Sequence, residues 1–361
     1  MPTIIKCDIL IIGAGPAGLW AAKTAADFGL DTIILEEHPC AGFTKHCSGW
    51  LLGCEFTYRF FNKLQQILPH QKVSRFIIRD PVSGAVKEDI EDTGWGGYLV
   101  RRELFDRELA RLAILAGAKL FLNAKATSLI REDNRVVGVT TSSARIPEVR
   151  ARTVISADGM KSATATGFAK GEIATASEAE IYPGVQMELV NVRDVVPGII
   201  EIYESTDTFL AGRSLWPHGN GITLSSFSSI ETYSQIKSRQ DNMLSYKLAL
   251  SSPIYMSSFL NRRNMGLYYK HLTKDGLIFV GEACGCSGII HGMISGYYAA
   301  LAVKDGILDG NKTIKADEKY ENMMKNSDIY KNPFCYRNIR SHYGLYKNWL
   351  ERSKEIRASV P

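Results

Sequence analysis

The sequence predicts an α/β fold: a parallel sheet flanked by helices, interrupted by an inserted and mainly antiparallel β domain, and followed by a helical C-terminal tail. Three observations predict it. Residues 7–12 (Cys-Asp-Ile-Leu-Ile-Ile), 16–29 and 31–35 (Asp-Thr-Ile-Ile-Leu) read as a buried strand, a helix of small and apolar residues closed by Gly29, and a second buried strand. Residues 181–230 alternate and are rich in β-branched and aromatic side chains, the signature of an antiparallel sheet. Residues 276–281 (Gly-Leu-Ile-Phe-Val-Gly) then return to a buried strand, followed by a small-residue helix at about 288–305.

The elements between follow the same logic. Residues 40–62 are irregular and then helical, and 73–91 read as strands around a Pro-Val-Ser-Gly turn at 81–84. Residues 101–117 form an amphipathic helix with Leu104, Phe105, Leu109, Leu112 and Leu115 on its apolar face and Gly117 at its end. Strands are expected at 119–122, 126–131, 135–141 and 152–157, and residues 231–262 read as more helical. The dinucleotide-binding domain is thus assembled from residues 1–70, 98–170 and 265–315, the inserted domain from 71–97 and 171–264, and the tail from 316–361.

The chain has 361 residues, of which 45% are hydrophobic and 22% charged, enough for a sizeable core without disulfides or metals. A formal net charge of +5 with no basic run argues against a nucleic-acid partner. No apolar run reaches the roughly 20 residues of a membrane span, and the N-terminus lacks a secretory layout. A cytoplasmic protein is expected, with contact at a membrane surface as an alternative. The seven cysteines (7, 40, 47, 54, 284, 286 and 335) include no C-x-x-C pair, so no metal site is expected and free thiols are the default.

Residues 13–18 read Gly-Ala-Gly-Pro-Ala-Gly, a G-x-G-x-x-G loop that follows a strand and opens a helix. Gly13 suits the tight turn, Gly15 the approach of a pyrophosphate, and Gly18 close helix–strand packing, with Pro16 and Ala17 at the helix start. The helix N-terminus then faces two phosphates. Glu36, followed by Glu37, ends the second strand where a carboxylate accepts from ribose hydroxyls and disfavours a 2′-phosphate. This Rossmann-like unit suits FAD or NAD rather than NADP.

Two later segments, Val154-Ile-Ser-Ala-Asp-Gly159 and Leu277-Ile-Phe-Val-Gly-Glu282, each end a buried strand with an acid beside glycine. Together with Arg102-x-x-Phe105-Asp106, Ser162, Gly288-Ile289 and Ser295-Gly296, they make the chain resemble the geranylgeranyl reductase family, within the flavoprotein superfamily that includes the aromatic hydroxylases. The resemblance spans about residues 5–310 and implies FAD as cofactor. By that resemblance Gly13, Gly15, Gly18 and Glu36 hold the ADP half, and Pro16, Ala17, Glu37 and Ala126 are further cofactor-binding residues. Arg102 contacts the phosphate or ribityl region, and Asp158 and Gly159 lie near the cofactor. Glu282, beside the cofactor-binding Gly281, reaches a ribityl hydroxyl, and Gly288 and Ile289 open a helix toward the flavin. Glu282 stands where the family has Asp. Its Cys-Gly pair corresponds here to Cys47-Ser48-Gly49, and Cys47 is a flavin-proximal thiol, a proton donor or a loop thiol without a role. His291, and likewise His46, is a second candidate proton donor or a structural histidine, and Cys284 and Cys286 either approach the ring or are small buried residues.

The family's Tyr-x-Trp-x-Phe-Pro pattern is replaced by Gly212-Arg213-Ser-Leu215-Trp216-Pro217, in which Pro217 alone is identical. Trp216 and Pro217 are the candidate substrate contacts. The resemblance implies hydride transfer from reduced FAD to a carbon–carbon double bond of a small hydrophobic, isoprenoid-like substrate, with reduced nicotinamide, ferredoxin or another carrier as electron donor. An electron-transfer dehydrogenase feeding quinone, and an oxygen-using aromatic hydroxylase, are the alternatives. A binding module without activity is a further one. Residues 331–361 hold seven Lys or Arg against two Glu, with Tyr343, Tyr346 and Trp349 spaced by three, a stripe for packing or for an anionic lipid surface.

Overall fold

The computed structural model describes residues 4–43, 47–80, 82–91, 96–160, 162, 164, 181–203, 214–227, 230–239, 242–262, 272–286, 288–308 and 313–327. Lys45, His46, Arg213 and the aromatic stripe of 331–361 lie outside the described residues.

The chain opens with β1 (Ile4–Ile12), α1 (Pro16–Asp27), β2 (Thr32–Leu35), β3 (Trp50–Leu51), α2 (Glu55–Phe61), β4 (His70–Lys72), β5 (Arg75–Arg79), β6 (Val86–Glu91) and β7 (Tyr98–Val100). Next come α3 (Arg102–Leu115), β8 (Lys119–Phe121), β9 (Ala126–Glu132), β10 (Arg135–Thr141), β11 (Glu148–Ser156), β12 (Ile181–Val190) and β13 (Ile199–Tyr203). The remainder is β14 (Ser214–Pro217), β15 (Thr223–Phe227), α4 (Ile230–Ser238), α5 (Met243–Leu248), β16 (Ser252–Arg262), β17 (Thr273–Lys274), β18 (Leu277–Phe279), a short 3-10 turn (Gly281–Cys284), α6 (Ile289–Leu308) and α7 (Thr313–Asn326).

These elements form two compact units. The first holds residues 1–43, 103–177 and 265–334, and the second residues 44–102, 178–264 and 335–361. Segments 44–70 and 98–102, grouped with the dinucleotide-binding domain in the sequence reading, thus cluster with the inserted β unit.

In the first unit the sheet runs β17-β18-β11-β1-β2-β8, and the links from β18 through β8 are parallel. The strands in the middle of a parallel sheet are covered on both faces and so read as unbroken apolar runs. Ile9, Leu10, Ile11, Ile33, Ile34, Val154, Ile155, Leu277, Ile278 and Phe279 are all fully buried. The N-terminal half of β11 pairs with β10, which pairs antiparallel with β9, while its C-terminal half pairs with β18. Helix α1 ends as its glycine requires: Gly29 takes φ +78°, and Leu30 N donates to Ala25 O at 3.1 Å. On α3 the buried line is Phe105, Leu109 and Ala113, whereas Leu104 and Leu115, expected on the apolar face, are exposed. They fall beside that i, i+4, i+8 row rather than on it.

The second unit carries a sheet in the order β16-β12-β15-β14-β13-β5-β6. All its links are antiparallel except β13–β5. The expectation of helix across 231–262 is corrected: α4 and α5 end by Leu248, and Ser252–Arg262 is the longest strand of the sheet. Edge position explains the weak signal. Pairing with β12 on one side leaves Ile254, Met256 and Ser258 exposed, so no apolar face builds up along the strand, and Pro253 sits where a sheet edge tolerates it.

One face of this sheet packs Met187, Leu189, Leu215 and Phe227 against Tyr233, Ile236, Leu244 and Leu248 of α4 and α5. On that face Glu201 of β13 is buried. Its Oε1 accepts from Lys247 Nζ at 3.0 Å and its Oε2 from the Tyr203 hydroxyl at 2.5 Å, with Arg79 Nε 3.4 Å away. Burial, and then the Glu201 charge, raise the Tyr203 phenol well above its ordinary value. Lys247 also donates to Asp194 O at 2.7 Å. Breaking a buried charge pair costs more than making it gains, because the partner left behind stays buried. Lys247→Met is therefore expected to lower unfolding stability by about 3–5 kcal/mol in denaturant titration.

Asp317 of α7 supplies a pH test of the first unit. Its Oδ2 accepts from Gly276 N at 3.5 Å, and its buried Oδ1 has no hydrogen-bond partner among the described residues. Burial pushes its carboxyl up to about 6, with Arg135 opposing and Asp275 and Glu321 adding to the rise. The folded chain then binds this proton more tightly than the unfolded one, so its contribution to stability falls as pH rises toward 6 and stays low above it. Asp317→Asn is expected to raise the melting temperature at pH 7 and to leave it unchanged near pH 4, measured by thermal melts across that range.

Candidate cofactor site

Because β1, β2, β11 and β18 are parallel, their carboxyl ends lie along one edge of the sheet, where ligands of open α/β sheets bind. Gly13, Glu36, Asp158 and Gly281 all sit just past those ends. Backbone bonds continue beyond the strands and hold the tips in register: Gly13 N to Leu35 O and Ala157 N to Ile12 O at 2.8 Å, and Val280 N to Ser156 O at 2.9 Å.

The three loop glycines have different reasons to be glycine. Gly13 has φ +102°, and a Cβ there would stand 2.6 Å from Ala157 O. A Cβ on Gly18 would stand 2.1 Å from Gly13 O. Nothing lies within 4 Å of a Cβ on Gly15. Two positions are closed by the fold and the third opens onto space. Gly15 is the N-cap of α1 and Pro16 its first residue, with no side chain capping the helix, so the N–H groups of Ala17 and Gly18 have no acceptor within it. An anion is the natural partner for such a terminus.

Helix α6 is drawn close to α1 by its own glycines. A Cβ on Gly296 would stand 2.4 Å from Ala17 O, and one on Gly281 2.8 Å from Ala17 Cβ. Gly281 N donates to Ser295 Oγ at 2.9 Å, and that hydroxyl donates to Gly292 O at 2.7 Å, so the turn after β18 is tied to α6. Cys286 N and Cys284 Sγ both bond to Gly281 O, and both thiols are buried. The Cys284 sulfur as hydrogen-bond partner, and then burial, hold the Cys286 thiol protonated, well above its ordinary value. Past these cysteines, Gly288 takes φ +92° ahead of Ile289, which opens α6 and is buried, and His291 follows on the same helix.

At the end of β2 the Glu36 carboxylate is buried and engaged. Its Oε2 accepts from Ala14 N at 2.7 Å, and its Oε1 from His38 N at 2.9 Å and His38 Nδ1 at 2.6 Å. Glu37 turns away to an ion pair with Lys125 at 2.8 Å. Asp158 is likewise occupied by its own loop: Oδ1 accepts from Ser156 Oγ at 2.6 Å, and Oδ2 from Thr164 N and Oγ1 at 3.1 and 2.9 Å. Gly159 takes φ +74°, and Ser162 N donates to its carbonyl at 3.0 Å. Ala126 is a buried residue at the start of β9, and Arg102 is the first residue of α3. His38 and the Ser156–Thr164 tether were missed from sequence. The His38 signal was only a histidine two positions past a strand-ending acid.

Cys47, Trp216 and Pro217 belong to the second unit. The segment leading from Cys47 is anchored at Gly49, where a Cβ would stand 1.9 Å from Val100 O. Trp216 lies 5.8 Å from Trp50 and 6.2 Å from Phe76 between ring centroids, and Trp50 lies 5.3 Å from Phe76. Both indoles are satisfied, Trp216 Nε1 by Ser214 Oγ and Trp50 Nε1 by Gly96 O, each at 2.7 Å. Pro217 is buried. On β12, of the same sheet, Glu188 is held by Arg101 Nη2 at 3.0 and 3.1 Å.

Residues 8–199 match the family model described as FAD dependent oxidoreductase. A digeranylgeranylglycerophospholipid reductase of Thermoplasma acidophilum is 26% identical over 96% of this chain and 87% of its own length. The protein of the same description from Methanosarcina acetivorans is 30% identical over 87% of this chain and 79% of its own length. The crystal structure of a geranylgeranyl bacteriochlorophyll reductase-like protein from Thermoplasma acidophilum superposes with a TM-score of 0.74 at 25% identity, covering 90% of this chain and 84% of that one.

FAD fits the residues present. The open side of Gly15 and the uncapped start of α1 suit a pyrophosphate, and Glu36 is an acid whose Oε2 carries a single donor among the described residues. The glycines allow a direct check. Gly18→Ala is expected to lower the melting temperature of the apoprotein by several degrees, because the new methyl meets backbone. Gly15→Ala is expected to leave that melting temperature unchanged while weakening FAD uptake about tenfold or more, read by flavin fluorescence.

Proposed function

The chain belongs to the FAD-dependent oxidoreductases, in the geranylgeranyl reductase-like branch, and from that premise we propose that it reduces a carbon–carbon double bond of a hydrophobic isoprenoid-like substrate. The observation that carries this reading is the near full-length similarity to digeranylgeranylglycerophospholipid reductases. Bound and reduced, FAD supplies hydride chemistry; the protein supplies binding, orientation and electrostatics.

Each part of the chain has a share in that proposal. The Gly13–Gly18 loop and the start of α1 neutralise the pyrophosphate, and Glu36 takes a ribose hydroxyl. Arg102, Asp158, Gly159, Gly281 and Glu282 shape the middle of the cofactor site, Asp158 by holding the Ser156–Thr164 loop. The N-terminus of α6 at Gly288 and Ile289 offers backbone donors and the positive end of a 20-residue helix, which stabilise negative charge. Trp216 and Pro217, with Trp50 and Phe76 beside Trp216, offer the apolar surface that an isoprenoid chain needs. Cys47 and His291 are the two candidate donors of the proton that completes reduction. The electron donor is a carrier such as reduced nicotinamide or ferredoxin, and the test does not depend on which.

The holoprotein, photoreduced without oxygen, is expected to regain its oxidised spectrum on addition of a geranylgeranylated glycerophospholipid, with a more saturated lipid recovered by mass spectrometry. No reoxidation with any prenyl compound overturns the proposal. Substrate-stimulated oxygen uptake would place the chain with the hydroxylases instead, and fast quinone reduction with the electron-transfer dehydrogenases. Cys47→Ala and His291→Ala, compared in the same assay, identify the donor: the variant that slows reoxidation at least tenfold while still binding FAD marks it.

A further inference from the structure

We propose that His38 is a positioning residue of the nucleotide site: it occupies Oε1 of Glu36 from two directions and leaves Oε2 as the oxygen that takes a ribose hydroxyl. The inference rests on Glu36 being the ribose acceptor.

The geometry is local and over-determined. Both the backbone N–H and the ring Nδ1 of His38 bond to the same carboxylate oxygen, at 2.9 and 2.6 Å. An ionised carboxylate only accepts, so Nδ1 carries the proton. Ring orientation is set on its other side by Phe43, stacked at 5.0 Å with 19° between planes. The backbone around the pair is also pinned: Glu36 N donates to Phe121 O at 2.9 Å, Ala124 N to Glu36 O at 2.8 Å, and Asn123 N to His38 O at 3.1 Å.

A carboxylate offers about four lone-pair positions. Three are filled by Ala14 and His38, two of them on Oε1. The remaining position is on Oε2, the oxygen already directed at the glycine loop by Ala14 N. Glu37 does not compete for the ring: its Oε1 is 3.9 Å from His38 Nε2, and its Oε2 pairs with Lys125. Without the imidazole, Glu36 would keep two backbone donors and its side chain could turn away from the ribose position. His38 thus sets which oxygen, and in what direction, the site presents.

The test is a double-substitution cycle on FAD affinity, measured by flavin fluorescence quenching with refolded apoprotein. His38→Ala is expected to weaken FAD binding about tenfold, the size of one charge-assisted hydrogen bond. His38→Asn, whose amide N–H stands where Nδ1–H stood, is expected to recover most of that loss, and it carries the test should the alanine variant fail to fold. In a Glu36→Gln background, His38→Ala is expected to have little further effect, because it acts through the carboxylate; a merely structural role would give additive losses. Equal affinity of His38→Ala and wild type, full additivity, or no recovery by His38→Asn overturns the inference. A wild-type apoprotein that takes up no FAD overturns the cofactor site itself and this inference with it.

Discussion

Backbone crowding at Gly13 is the constraint on which the cofactor site depends. Strand β1 ends where its chain must turn beneath Ala157 and then admit the first turn of α1, and there is room for hydrogen but no carbon at two of the three loop glycines. Once that turn is made, the other strand tips are placed by backbone bonds rather than by side chains, through Leu35, Ile12 and Ser156 as acceptors. The same close approach recurs on the far side of α1, where Gly296 meets the Ala17 carbonyl and Gly281 meets its methyl. The start of α1 is therefore held by backbone on both sides, and its unpaired amide dipoles point at a fixed place. A helix start held this way can attract an anion without a flexible charged side chain.

Around that rigid frame the acidic residues divide their work. Glu36 remains close to the glycine loop, oriented by Ala14 and His38. Asp158 faces its own loop, accepting from Ser156 on Oδ1 and from Thr164 on Oδ2. Both are acids that end parallel strands, and a one-dimensional pattern treats them alike. Their partners differ: a loop amide and a histidine hold Glu36, and a serine and a threonine of its own loop hold Asp158. The β unit solves a different problem. Its sheet keeps an aromatic group (Trp50, Phe76 and Trp216) on one face and a buried charge network around Glu201 on the other, following the alternation of side chains along β13 and β14.

Much of the fold was legible because its signals are local. The unbroken apolar strands of the parallel sheet, the glycine loop, and the helix ends at Gly29 and Gly117 are each determined by residues within one turn or strand, and the structure has them where the sequence expects them. The strand at Ser252–Arg262 was not legible, since an edge strand with one pairing partner needs no regular apolar face. The exposed Leu104 and Leu115 of α3 mark the same limit on the helical side, where which row of leucines is buried depends on the surface it meets.

By itself, the sequence determined the α/β class, the glycine loop and the acid that follows it, and so narrowed the cofactor to FAD or NAD rather than NADP, because those features are encoded in a few adjacent residues. Tertiary structure alone decided that Glu36 is oriented by His38, that Asp158 bonds to Ser156 and Thr164, and that Trp216 stands beside Trp50. Such facts depend on side-chain direction and on contacts between residues far apart along the chain, such as Trp50 and Trp216, and a hydrogen bond exists only when both partners have been brought within reach.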